Sequence, residues 1–134
     1  MLKEVTEFHE IFGHPVNVVP TFELLELRHN LISEEAKETA EELAILATQI
    51  KYDADADAIV KTKARLTKEL ADILYVVYGT AVALGLPLEE GFKEVHRSNL
   101  SKLDADGKPI LREDGKVLKG PNYTEANMDQ FFNV

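Results

Sequence analysis

Two short acidic patterns carry the chemistry of this sequence: Glu34-Glu35-Ala-Lys-Glu38 and Glu69-Leu-Ala-Asp72. Each spaces carboxylates three residues apart, so on a helix each pair lies on adjacent turns of one face. Carboxylates gathered this way either form an ordinary solvated stripe or hold a hard cation through oxygen ligands. With Glu34 at zero and about 100° per residue, Glu35, Glu38, Glu41 and Glu42 fall within an arc of about 120°. Five acids on one stripe repel one another, and solvation is the plain account of that stripe taken alone.

The second pattern is harder to leave to solvent. Asp72 is the only charged residue between Leu70 and Leu86, and a helix so apolar is expected to be buried on most sides. An unpaired carboxylate there costs several kcal/mol or takes up a proton. Compensation comes from a base, with Arg28, Arg97 or Lys102 as candidates, or from a metal. A salt bridge accounts for Asp72 alone. Mg²⁺ accounts for both helices, because it takes a few carboxylates together with waters and substrate phosphates. Two facing helices with these patterns offer enough oxygens for two or three such ions.

The bulk numbers bound the alternatives. A chain of 134 residues is expected to be one domain, residues 1–134, with a modest core. Its net charge of −9 disfavours nucleic acid and anionic membranes as partners. It also repels a polyphosphate, unless cations intervene and convert the acidic groove into a polyanion site. The absence of cysteine removes disulfides, thiolate metal sites and a cysteine nucleophile, and is compatible with a cytoplasmic location. The N-terminal stretch is amphipathic and acidic, unlike a signal peptide, and Leu70–Leu86 is slightly short for a membrane span.

Periodicity predicts the elements that must position these groups. Helical spacing covers Leu2–Phe12, closed by Gly13, and an extended connector with two prolines follows over residues 14–20. A second helix is expected from about Thr21 to Ile50, with Leu24, Leu27, Leu31, Ala36, Leu43 and Leu46 as its apolar contacts. Residues 52–58 alternate Asp and Ala as a polar loop, and a third helix runs from about Ile59 to Leu84 with Gly85 as its stop. A fourth begins near Pro87 and reaches about Leu103. Asp106-Gly107 and Asp114-Gly115 then signal turns around a small hairpin or ordered loop, and residues 124–132 suggest a last short helix. The expected fold is all-α and four-helix-bundle-like, with a core over about residues 22–102 and a short hairpin or loop tail over residues 104–134.

Three blocks in order carry a family resemblance. Leu27-Arg-His-Asn-Leu-Ile-Ser-Glu-Glu35, Glu69-Leu-Ala-Asp-Ile-Leu-Tyr-Val-Val-Tyr-Gly79 and Val95-His-Arg-Ser-Asn-Leu-Ser-Lys102 resemble the MazG-like branch of the all-α NTP pyrophosphohydrolases. That superfamily also includes dimeric dUTPases and phosphoribosyl-ATP pyrophosphohydrolase. The interval from Glu38 to Glu69 is slightly longer than is usual in the family. The resemblance implies the reaction (d)NTP + H₂O → (d)NMP + PPi, by attack of a metal-activated water on the α-phosphorus. It implies Mg²⁺, replaceable by Mn²⁺, held by Glu35, Glu38, Glu69 and Asp72, with Glu34 or Glu35 orienting or deprotonating the water, or Glu34 serving equally as a further ligand. Asn99 and Lys102 would meet the nucleotide, Arg97 and Lys119 stand in reserve for phosphate, and Tyr75 offers a hydroxyl or a stacking face. A nucleoside triphosphate is the implied substrate, with a purine deoxynucleotide among the candidates.

The resemblance also implies a homodimer or a dimer of dimers, because one short chain leaves an apolar face of helix three uncovered. Other readings of the same residues remain open. Arg28 pairs with an acid if it is purely structural, and Asn99, Lys102 and Tyr75 have ordinary roles at a helix end or in a core. Glu41 and Glu42 are left to solvent. A di-iron carboxylate bundle wants two Glu-x-x-His patterns, and only Glu26-Leu-Arg-His29 is present. A non-catalytic helical dimerisation or interaction domain is the remaining alternative.

Overall fold

The computed structural model describes residues 1–132, which fall into two compact units, Met1–Leu86 and the chain from Pro87 onward. Four α-helices account for most of it, and among the described residues there is no β-strand, only an isolated antiparallel bridge between Leu111 and Val117. The all-α expectation holds. No single described helix is long and apolar enough to cross a membrane.

In the first unit, α1 (Leu2–Phe12) ends at Gly13, whose left-handed backbone returns an N–H to the His9 carbonyl. The connector that follows is extended and fastened to the end of the third helix: Asn17 and Val18 donate to the Val82 and Ala83 carbonyls at 2.8 and 2.9 Å. α2 (Phe22–Lys51) is capped by the Thr21 hydroxyl, which accepts from the Leu24 N–H. α3 (Ala56–Leu84) starts three residues before the periodicity suggested, because Asp55 caps it by accepting the Ala58 N–H at 2.9 Å. Gly85 closes α3 in the left-handed region, and the Asn17 side chain occupies the place a Cβ there would need.

α2 and α3 form an antiparallel hairpin whose register can be read from its cross-pairs. Arg65 Nε donates to Glu42 at 2.9 Å, the Thr39 hydroxyl donates to the Glu69 carbonyl at 3.3 Å, and Arg28 lies beside Gly79. The face that α2 turns toward α3 is therefore largely polar, carrying Arg28, Glu35, Glu38, Thr39 and Glu42 among Leu24, Leu31 and Leu46. Leu27, Ala36 and Leu43, expected as core contacts, are exposed instead. The apolar residues of α2 are split between two faces, and the inward one is not the richer. Glu42 is likewise withdrawn from solvent by Arg65.

α3 is buried through Tyr78, Ala81, Val82 and Ala83 but not all round: Leu70, Leu74 and Tyr75 are each more than two-fifths exposed. α1 packs on α3 through Val5 and His9, both nearly inaccessible. His9 donates from Nδ1 to the Pro15 carbonyl at 2.7 Å. Burial pushes its pKa below the ordinary 6.5, with the Arg28 and His14 charges adding to the effect.

In the second unit, α4 (Leu88–Leu100) stops short of Leu103, and the tail doubles back on it. The tail turns at Gly107 and Gly115 and has only a single 3₁₀ turn, Asp129–Phe131, where a helix from Thr124 was expected. The reason is competition for backbone groups. The Thr124 carbonyl accepts from Ser98, its N–H donates to Ser101, and the Asn127 N–H donates to Glu94, so this stretch is bonded sideways to α4. Arg97 grips Glu94 through two nitrogens at 2.7 and 2.8 Å and reaches the Thr124 hydroxyl and the Glu125 carbonyl. Arg97, then the Asn127 N–H, hold the Glu94 carboxyl down at about 2.

Two outcomes follow from these contacts. The folded state keeps His9 neutral while the unfolded chain protonates it, so its contribution is complete above pH 6.5 and falls away below. The melting temperature is expected to drop from about pH 7.5 to about pH 5.5 by more in the natural chain than in His9→Gln. Glu94→Gln removes a charge whose bonding is complete above the ordinary 4.5 and lost only toward about 2. Amide exchange at Thr124 and Asn127 should then quicken about tenfold near neutral pH, read by hydrogen–deuterium exchange.

Candidate functional site

The α2–α3 register sets Glu35 against Glu69 and Asp72, and each of the three offers an oxygen within 4.8 Å of the others'. Two of them arrive on α3 one turn apart, and the third comes from the facing helix. Glu69 is largely buried, with a side chain 12% exposed, while Asp72 is open to solvent at 39%. The centre is thus a half-sunk acidic notch with one accessible lip.

Its electrostatics are those of carboxylates forced together. Burial raises the Glu35 pKa above the ordinary range, and the neighbouring Glu38, Asp72 and Glu69 charges raise it further. Glu38 is raised by burial and then by Glu69. The one cation in the notch is Lys68, whose Nζ lies 2.6 Å from Asp72 and 3.3 Å from both oxygens of Glu69. Those bonds push the lysine well above its ordinary value, Asp72 contributing most. Lys68 is itself exposed. The base that answers Asp72 is therefore none of Arg28, Arg97 and Lys102 but the residue one turn earlier on the same helix.

Glu35 Oε2 is buried without a hydrogen-bond partner, which a carboxylate oxygen in a protein interior rarely is. Three hard oxygen donors at this separation suit a divalent cation with oxygen distances of about 2.0–2.6 Å. The donor set and the unpartnered oxygen together fit a metal of that class. It contains no histidine, and His29 is exposed beside Asn30, so the second-helix Glu-x-x-His pattern does not enter it.

The other sequence candidates are distributed as follows. Glu34 is exposed on α2, outside the three-oxygen group, and Glu38 is half-buried next to it. Tyr75 lies one turn beyond Asp72, 42% exposed, with its ring edge-on to Phe8 at 5.5 Å. In the second unit Lys102 donates to the Asn99 side chain at 2.8 Å, so the pair is pre-formed at the end of α4. Gly120 packs so tightly on the Lys102 and Leu103 carbonyls that any Cβ there would collide with backbone, which brings Lys119 beside that turn. Lys119 Nζ sits 4.4 Å over the Tyr123 ring. Arg97 is occupied in clasping the tail. Sequence reasoning missed Lys68 and the Glu42–Arg65 pair. The first was readable as a Lys four residues before Asp72, and the second only from the register.

Comparison with known proteins bears on what such a notch does. The family model described as phosphoribosyl-ATP pyrophosphohydrolase matches residues 5–99, from α1 through the three carboxylates to Asn99. Lys102 and Lys119 lie beyond that match. An uncharacterized protein of Acanthamoeba polyphaga mimivirus is 30% identical over 132 residues, covering 93% of this chain and 44% of the relative. The chain therefore spans less than half the length of that relative. The family match takes in well over half of the chain and every residue of the acidic notch, and the chain belongs to the phosphoribosyl-ATP pyrophosphohydrolase family, within the MazG-like superfamily of all-α NTP pyrophosphohydrolases.

Proposed function

We propose that this chain is a Mg²⁺-dependent nucleoside triphosphate pyrophosphohydrolase, releasing pyrophosphate and a nucleoside monophosphate. The observation that carries the reading is the three-oxygen notch of Glu35, Glu69 and Asp72, with one buried oxygen unsatisfied, in a member of a pyrophosphohydrolase family. Glu35, Glu38, Glu69 and Asp72 are the residues to hold two or three ions, with Mn²⁺ as a substitute. Bound divalent cations supply charge neutralisation for the phosphates and acidify a coordinated water.

The remaining work falls to the chain. One water oxygen bonds to the α-phosphorus as the bond to the α,β-bridging oxygen breaks, and pyrophosphate leaves with that oxygen. Glu35, with one oxygen buried and unpartnered beside the other carboxylates, is one candidate to orient that water or take its proton. Glu34, exposed on the same helix, is the second candidate for orienting that water. Asn99 and Lys102 present an amide and an ammonium in one pre-formed unit suited to phosphate or sugar oxygens, with Lys119 nearby and Arg97 in reserve. Tyr75, 42% exposed, offers its ring to a base, a purine deoxynucleotide being one candidate substrate.

The family match runs across the boundary between the two units, which supports their acting as one domain. The exposed apolar residues of α3 favour a homodimer or a dimer of dimers, since contiguous apolar surface of this kind seeks a partner.

A Mg²⁺-dependent screen of canonical and modified (d)NTPs, resolving pyrophosphate from orthophosphate, tests the reading directly. Pyrophosphate is the expected product, and orthophosphate alone or no turnover would remove it. Asp72→Ala should lower pyrophosphate release at least about 100-fold and lose the rise in melting temperature that Mg²⁺ or Mn²⁺ gives the natural chain. Its melting without added cation should hold or rise slightly, because the lost Lys68 pair is solvent-exposed and one of the crowded carboxylates has gone.

A further inference from the structure

The chain has four arginines, and three are matched with an acid: Arg65 with Glu42, Arg97 with Glu94 and Arg112 with Asp114. Arg28 is the exception. It is only 6% exposed, makes no hydrogen bond or ion pair with any other described residue, and its Nε is buried with no acceptor. Burial pulls its pKa below the ordinary arginine value. A guanidinium withdrawn from water without a counter-charge is among the more costly arrangements a core can hold, and chains that keep one generally supply an anion from elsewhere. In a chain of net charge −9 the shortage of an acid here is not a shortage of acids.

The neighbours of Arg28 supply no acceptor for its Nε. Opposite it on α3 is Gly79, and a Cβ at that position would stand 3.0 Å from Arg28 Nη1 and 3.1 Å from His9 Nε2. With no side chain at Gly79, the guanidinium and the imidazole lie close against α3, with Nη1 and Nε2 near one point. His9 commits its Nδ1 proton to the Pro15 carbonyl, so its Nε2 is unprotonated and brings no negative charge to the arginine. Arg28 also shares the inward stripe of α2 with Glu35, seven residues or about 10.5 Å along the axis. One seam thus has carboxylates at one level and an uncompensated guanidinium two turns away.

We infer that Arg28 is a phosphoryl-binding residue, its guanidinium completed by oxygens of the substrate's polyphosphate or of the pyrophosphate product. This rests on the pyrophosphohydrolase reading for the ligand's identity, while the call for an oxyanion comes from the arginine itself. The planar fork of arginine suits phosphoryl oxygens in a way that a single ammonium does not.

The test uses the full chain, with EDTA to remove any contribution of divalent cations, and follows thermal melting against inorganic pyrophosphate and, separately, ATP. The natural chain and Arg65→Met, whose arginine is already paired, should both be stabilised by pyrophosphate, and Arg28→Met should not. Without anion, Arg28→Met should melt at or above the natural chain, since an uncompensated buried charge has been removed. A response to ATP with none to pyrophosphate would assign the site to the substrate; a response to both would assign it to phosphoryl groups of either source. With Mg²⁺ present, the KM for the triphosphate in Arg28→Met should rise about tenfold or more, with kcat changed less.

Full anion stabilisation in Arg28→Met, or none with either ligand in the natural chain, would overturn the assignment. If Arg28→Met does not fold, Arg28→Lys carries the test: retained charge without the fork should weaken the pyrophosphate response, and an undiminished response would count against it. An Arg28-dependent anion response in a chain that hydrolyses no triphosphate would sink the proposed activity and leave Arg28 as an oxyanion site.

Discussion

Where α2 and α3 pair, Glu35, Glu69 and Asp72 are brought together against their mutual repulsion. Two long helices ordinarily meet along apolar stripes, yet here the seam between them carries a buried guanidinium, one buried and several half-buried carboxylates, and two buried threonines. Such a seam is held by matched polar contacts rather than by apolar area. Arg65 bridges to Glu42 near the hairpin end, and Thr39 bonds across to the Glu69 carbonyl beside the notch. Lys68 relieves part of the negative charge from the rim. Apolar cohesion is displaced to the other flank of α3, where Tyr78, Ala81 and Val82 lie within the unit and Val5 of α1 is buried. A cation held in the notch would relieve repulsion that the fold otherwise bears, and would link ligand binding to the pairing of these two helices.

The second unit follows a different rule. No described residue of its tail is fully buried, and the tail is organised by hydrogen bonds to α4, with Glu94, Arg97, Ser98 and Ser101 acting as one row of hooks. These residues, at positions 94, 97, 98 and 101, share one side of the helix, and their partners all lie between Thr124 and Asn127. A segment bonded in this manner has spent its backbone groups and does not become a helix of its own.

Much of the architecture was legible from the amino acids. Gly13 and Gly85 as stops, Thr21 as a cap and the period of the apolar residues fix the first three helices to within a few residues, because these signals act locally. The pairing of Glu35 with Glu69 and Asp72 was legible only through their common spacing and the family resemblance. What could not be read was facing. Leu27 and Leu43 look like core residues by period, but the inward face of α2 is decided by which residues α3 brings opposite, and that is a tertiary quantity. The same applies to Asp72: its apolar neighbours in sequence suggested burial, whereas the helix presents a half-open edge there. Arg28 was read as a possible partner for an acid, and only the register places it beside a glycine.

The antiparallel ladder has a consequence for length. Glu35 and Asp72 are joined by a hairpin whose two arms run on past the notch to the turn at Tyr52–Asp55. Residues added to the end of α2 and matched by as many at the start of α3 move the turn outward and leave every rung below it in place. An unmatched addition within the arms instead shifts one helix against the other, rotating its carboxylates by about 100° per residue. The somewhat long interval between Glu38 and Glu69 is in this sense silent at the site: the hairpin behaves like a zip whose length is free so long as its teeth stay in step.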